Sequence, residues 1–125
     1  MVGWFCERDW SVAMEILKKK KDFQRVYRRG HSVACGALVL YLSRNRGQGR
    51  RFGFSVSKKT GKAVVRNRVR RVLREICRLN EDWFPHDHDV VIIARREAVG
   101  KNFHDLAGQL YNLARRAVRK MTSKG

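Results

Sequence analysis

Three stretches of the 125-residue chain repeat apolar residues at helical spacing. Over residues 103–121, Phe103, Leu106, Ala107, Leu110, Leu113, Ala114, Ala117, Val118 and Met121 recur every three or four positions. That pattern predicts a long amphipathic helix able to cover a sheet. Over residues 18–29, Phe23, Val26 and Tyr27 fall at i, i+3 and i+4 among lysines and arginines, and Gly30 supplies the stop. Over residues 63–79, Val65, Val69, Val72, Leu73 and Ile76 turn one way, while Arg66, Arg70, Arg74 and Arg78 form a slowly drifting stripe with Asn67 and Arg71 beside it. One face of this third helix is built to pack, the other to stay polar.

Between the helices the period shortens. Residues 32–43 are rich in Val, Leu and Tyr with partial alternation, R-N-R-G-Q-G-R-R then breaks the pattern, and residues 52–57 alternate again. The expected local structure is a hairpin with a basic tip. Residues 90–94 are a continuous apolar run typical of a buried strand, which with the preceding helix implies a βαβ unit. Residues 1–14 mix Trp4, Phe5 and Trp10 with charges and show no period. The expected division is an N-terminal extension over 1–15 and one domain over 16–122. Without repeats, low-complexity tracts or linkers, the fold class is α+β, a single-domain α/β sandwich in the order α-β-β-β-α-β-α.

Charge changes the picture from fold to partner. Lys and Arg number 29 against 11 acidic residues, a net charge of +18 with pI near 11.1. Such an excess calls for a polyanion. No run approaches the ~20 apolar residues of a membrane span, and the basic helices pair their charge with core-like faces, so nucleic acid is favoured over membrane. Six arginines lie within residues 66–78, with Glu75 and Glu81 the only acids near enough to compensate. Like charges at i,i+4 cost a helix a few tenths of a kcal/mol each, so an anion beside them is expected. Arginine's planar fork donates two parallel hydrogen bonds to a phosphate.

Other candidate chemistry is thinner. His86, Asp87, His88 and Asp89 are metal-ligating types, but consecutive residues of an extended chain alternate in direction and cannot converge on one ion, so a polar turn before the strand is expected. No G-x-S-x-G elbow or paired carboxylates of acid/base type stand out. Cys6, Cys35 and Cys77 are odd in number and lack C-x-x-C spacing, which points to free thiols in a reducing compartment, here the cytoplasm. Phe23, Tyr27 and Tyr41 fit either a core or a base-stacking surface within a basic groove. The segment before Glu15 has no basic start or long apolar stretch and does not read as a signal peptide.

Residues 53–75, G-F-S-V-S-K-K-T-G-K-A-V-V-R-N-R-V-R-R-V-L-R-E, resemble the signature of the protein subunit of bacterial ribonuclease P. The core is A-x-x-R-N-R-V-R-R-x-L-R. The flanking segments L-K-K-K-K-D-F-Q-R-V-Y-R-R-G (17–30), A-L-V-L-Y (37–41) and D-V-V-I-I-A-R (89–95) are similar to that family's first helix, first strand and last strand. The resemblance spans roughly residues 16–120 and implies an accessory subunit whose RNA partner performs Mg²⁺-dependent phosphodiester hydrolysis. No catalytic residue and no small-molecule cofactor are then expected in the protein. It implies RNA contacts from Arg66, Asn67, Arg68, Arg70, Arg71 and Arg74, with Lys58 and Lys59 of the S-K-K segment adding phosphate contacts. It also implies that Phe23, Tyr27 and Tyr41 line a cleft for the 5′ leader of precursor tRNA, and that the βαβ crossover is left-handed. Family members usually begin a few residues before the equivalent of Leu17, so Met14 is the expected native start. Thr60 stands where an aliphatic residue is more usual. The rival readings are a general RNA-binding protein and a nuclease using the 86–89 tetrad.

Overall fold

In the computed structural model, which describes residues 15–124, three helices pack on a five-stranded mixed sheet. The elements run β1 (Glu15–Ile16), α1 (Lys20–Arg29), β2 (His31–Cys35), β3 (Leu38–Arg44), β4 (Arg51–Val56), α2 (Ala63–Leu79), β5 (His88–Ala94) and α3 (Phe103–Lys124). The sheet order is β1-β4-β5-β3-β2. Trp4, Cys6, Trp10 and Met14 lie outside the described residues. β1 adds a two-residue strand to the expected order, with Glu15 and Ile16 parallel to Arg51 and Phe52, so the sheet already begins at a residue assigned above to the extension.

The alternation of β3 sorts the two faces. Leu38, Leu40 and Leu42 are buried on one side, and Val39 and Tyr41 are half-buried on the other. Leu38, Leu40 and Leu42 join Phe52, Phe54, Val90 and Ile92 against Val69, Leu73 and Ile76 of α2 and Leu106, Leu110 and Leu113 of α3. At about 1.5–3 kcal/mol for each large apolar side chain fully buried, this layer supplies most of the stabilisation. Among the described residues, α1 is the helix that covers the second face. Val26 seats on Val91 and Leu17, with Phe23, Tyr41 and Ile93 half-buried around them.

Two glycines set how closely α1 lies. A Cβ on Gly53 would stand 2.8 Å from the Phe23 ring, so the strand must lack a side chain where the helix crosses it. A Cβ on Gly30 would stand 2.6 Å from the Val26 carbonyl oxygen and 2.8 Å from that of Leu42. Gly30 does end α1, but at φ −81° rather than in the left-handed conformation common at helix ends. Its role is close approach.

The expected hairpin between residues 32–43 and 52–57 does not form. β3 and β4 are separated by β5, which is antiparallel to β3 and parallel to β4. The true hairpin joins β2 to β3 through Gly36 and Ala37, so the stretch read as one strand is two. The physical reason lies in β5: all its residues but Ile93 are buried, which suits a central position with neighbours on both sides. The βαβ expectation holds, β4 and β5 being parallel and joined through α2.

Candidate nucleic-acid interface

α2 begins as an anion-binding end would. Its N-cap is Lys62, with no side-chain cap and no acidic residue in the first turn, so its N-terminal N–H groups and the helix dipole meet a lysine instead of a carboxylate. The preceding 3₁₀ turn, Lys58–Thr60, is braced by the Ser57 hydroxyl, which accepts from Lys59 N at 3.1 Å, and it carries Lys58 and Lys59 exposed.

Along α2 the arginines divide. Arg66, Arg70, Arg74 and Arg78 are half-buried, because at about 100° per residue their stripe flanks the buried line of Val69, Leu73, Ile76 and Cys77 instead of opposing it. Arg66 Nε is shut off from solvent with no hydrogen-bond partner among the described residues, a donor whose isolation costs about 1–3 kcal/mol until an acceptor arrives. Arg70 Nη1 donates to Asn67 Oδ1 at 2.7 Å, so Asn67 aims a cation as well as being exposed itself. Arg78 pairs with Glu75. Arg68 lies on the other flank, beside Val65 and Val72 and across from Val99 and Lys101. The six signature positions are therefore two groups on one helix, with Arg71 exposed between them.

The aromatic trio is brought together. Tyr27 meets Tyr41 edge-on at 5.1 Å between ring centroids, and Phe23 at 6.4 Å. Relative to Val26, which points at the sheet, Phe23 and Tyr27 occupy the same flank of α1. Beside that flank no other helix among the described residues covers the sheet face: Val39, Tyr41, Ser55 and Ile93 are half-buried there, an apolar floor beside an aromatic wall. Burial raises the Tyr27 hydroxyl pKa above its ordinary value, with the neighbouring Tyr41 adding to the rise and a hydrogen bond with Ser55 opposing it. Tyr27 thus remains a neutral donor at physiological pH. Phe23 and Tyr41 pack on the second core, while Tyr27 stays 38% exposed.

The 86–89 tetrad is only half a turn. His86 and Asp87 are exposed, whereas His88 and Asp89 are buried at the start of β5. Asp89 accepts from Arg51 Nε and Nη2 at 2.8 and 2.9 Å and from Asn45 Nδ2 at 3.0 Å. This bidentate pair holds the Arg51 guanidinium charged, its pKa raised chiefly by the Asp89 hydrogen bonds. Asp87 Oδ1 accepts from Gly49 N, and His88 Nδ1–H donates to the His86 carbonyl. Both carboxylates therefore anchor the loop before β4, and among the described residues no group of three or more His, Cys, Asp or Glu converges to hold a metal ion. Sequence reading missed the Asp89–Arg51–Asn45 cluster, because its members are 38 and 44 positions apart. Cys35 and Cys77 are free thiols, and burial pushes that of Cys77 well up. Among the described residues no helix is long and apolar enough to cross a membrane.

The family model described as Ribonuclease P matches residues 13–118. The chain belongs to the ribonuclease P protein family. A ribonuclease P protein component from Desulforamulus reducens is 50% identical over 97 residues, covering 78% of this chain and 86% of the relative. One from Pelotomaculum thermopropionicum is 44% identical over 104 residues, covering 83% and 93%. Among solved structures, the Staphylococcus aureus RNase P protein is similar with TM-score 0.75 at 36% identity, covering 82% of this chain and 94% of that one. The Thermotoga maritima protein follows at 0.74 and 31%, covering 82% and 96%. The role of ribonuclease P proteins is RNA binding in the 5′ maturation of tRNA, as accessory subunit of an endoribonuclease complex. The RNase P RNA is accordingly this chain's partner.

Proposed function

We propose that the two faces described above divide the RNA between them. α2 and its entry turn, through Arg66, Asn67, Arg68, Arg70, Arg71, Arg74, Lys58 and Lys59, hold the RNase P RNA. The cleft of Phe23, Tyr27 and Tyr41 receives the single-stranded 5′ leader of precursor tRNA. The observation that carries this reading is the half-buried sheet face beside the aromatic flank of α1, which no other helix among the described residues covers, with Tyr27 exposed at its edge. A base can slide over Val39 and Ile93 and stack on Tyr27, while a duplex, whose bases are already stacked, gains nothing there. Mg²⁺ is bound mainly by the RNA subunit, where hydrolysis takes place, and the protein contributes by lowering repulsion between two RNAs and so the Mg²⁺ concentration they need. The chain works in the cytoplasm, beside its substrate.

The test is cleavage of precursor tRNA at low Mg²⁺ by RNase P RNA with and without the protein, using long and short leaders and a protein-only control. Stimulation should be larger for the long leader, and Tyr27→Ala should remove that leader-dependent part while leaving the short-leader rate unchanged. Equal stimulation of both leaders would reduce the protein to a general RNA binder. Cleavage by protein alone would revive the nuclease.

A further inference from the structure

α1 has a second flank. Relative to Val26, Arg25 and Arg29 lie on the side opposite Phe23 and Tyr27, facing the end of β3 and the loop that follows it. There Arg25, Arg29, Arg44 and Arg46 converge with Asn45 and Gln48 on an open hollow of about 330 Å³ with no carboxylate in its lining. Among the described residues Arg29, Arg44 and Arg46 have no ion-pair partner, and Arg25 reaches Asp22 only at 3.5 Å. Four guanidinium groups sharing one hollow repel one another unless an anion joins them.

The loop that supplies Arg46 is built rigidly. Asn45 is buried, and its Nδ2 donates to the Gly49 carbonyl at 2.6 Å and to Asp89 at 3.0 Å, while its Oδ1 accepts from Gln48 N. Asp87 takes Gly49 N from the other side. Arg46 is held at φ +59°, a conformation that costs a side-chain-bearing residue energy and persists here because the surrounding bonds fix it. Asp87 and Asp89 thus brace the backbone of the loop without entering the hollow that Arg44 and Arg46 line.

We propose that this hollow binds a backbone phosphodiester of RNA, a contact separate from those of α2 and of the aromatic cleft, with α1 standing between it and the cleft. The phosphate belongs either to the RNase P RNA or to precursor tRNA. The site rests on this chain binding RNA, which the wild-type salt dependence tests by itself.

The experiment compares wild type, Arg29→Gln/Arg46→Gln, and a charge-matched control, Arg96→Gln/Arg115→Gln, each checked for unchanged urea unfolding. Affinity for RNase P RNA is followed across salt concentrations, and the assembled holoenzyme is then titrated with precursor tRNA. Loss of this one phosphate contact flattens the slope of log K against log salt by about 0.8, and this is the expected result with one of the two RNAs. Flattening with RNase P RNA assigns the phosphate to the catalytic RNA; flattening only with precursor tRNA assigns it to the substrate. No change with either RNA, or a change no larger than the control's, overturns the site. A shallow wild-type slope would instead remove the RNA-binding premise.

Discussion

Arg51 at the start of β4 lies against Asp89 with two hydrogen bonds of 2.8 and 2.9 Å, while Arg70 on α2 has only the neutral Asn67 oxygen at 2.7 Å. The side chains are the same and the surroundings are not. Around the loop before β4, Gln48 N, Gly49 N and the Arg51 guanidinium find Asn45, Asp87 and Asp89, and Arg51 is part of the fold. Along the outer part of α2 no carboxylate among the described residues meets Arg66, Arg68 or Arg71, and the fold is held by the valines and leucines behind them. An arginine with a carboxylate opposite it stabilises the protein; an arginine without one is available to bind. Counting positive charge does not separate the two uses, whereas the position of eleven acidic residues does.

The comparison breaks first at Asp89. Asp89→Ala leaves Arg51 and Asn45 without their buried acceptor, and stability should fall by about 3 kcal/mol, read as a lower urea midpoint. Below its melting point the variant should keep the wild-type salt slope for RNase P RNA; a flattened slope would mean that the two regions are not independent. On the other side, Arg70→Ala should weaken RNA binding and flatten the slope by about one, with stability within about 0.5 kcal/mol of wild type. Asn67→Ala, which frees Arg70 without discharging it, should lower affinity while leaving the slope near the wild-type value. If both substitutions moved the slope equally, Asn67 would not be acting through Arg70. The smallest effect belongs to Thr60, whose hydroxyl is buried without a hydrogen-bond partner among the described residues. Thr60→Val should raise stability by about 1 kcal/mol, and a loss on thermal unfolding would show that the hydroxyl has a partner after all.

Much of this was legible in the chain. The arginine helix ends at Leu79 as its spacing predicts, α3 covers the sheet through the expected apolar stripe, and the apolar run 90–94 is a buried strand as expected. What misled was adjacency. The two alternating segments on either side of R-N-R-G-Q-G-R-R look like a hairpin because nothing in them records that a strand from residues 88–94 will slide between. The same holds for the division of α2's arginines, where the helical wheel gives angles but not which angle faces α3 and which the open flank.

By itself, then, the sequence determined the quantities that local periodicity and composition carry: helices with one apolar stripe, a buried strand, a charge of +18 that requires an anionic partner, and a signature shared with a family. The tertiary structure decided which distant residues meet: Asp89 with Arg51, Tyr27 with Tyr41, Arg29 with Arg46. Backbone spacing fixes a residue's neighbours only within a turn of helix or a step of strand, whereas these contacts depend on the order in which strands enter the sheet, and that order is chosen by burial of the whole core at once.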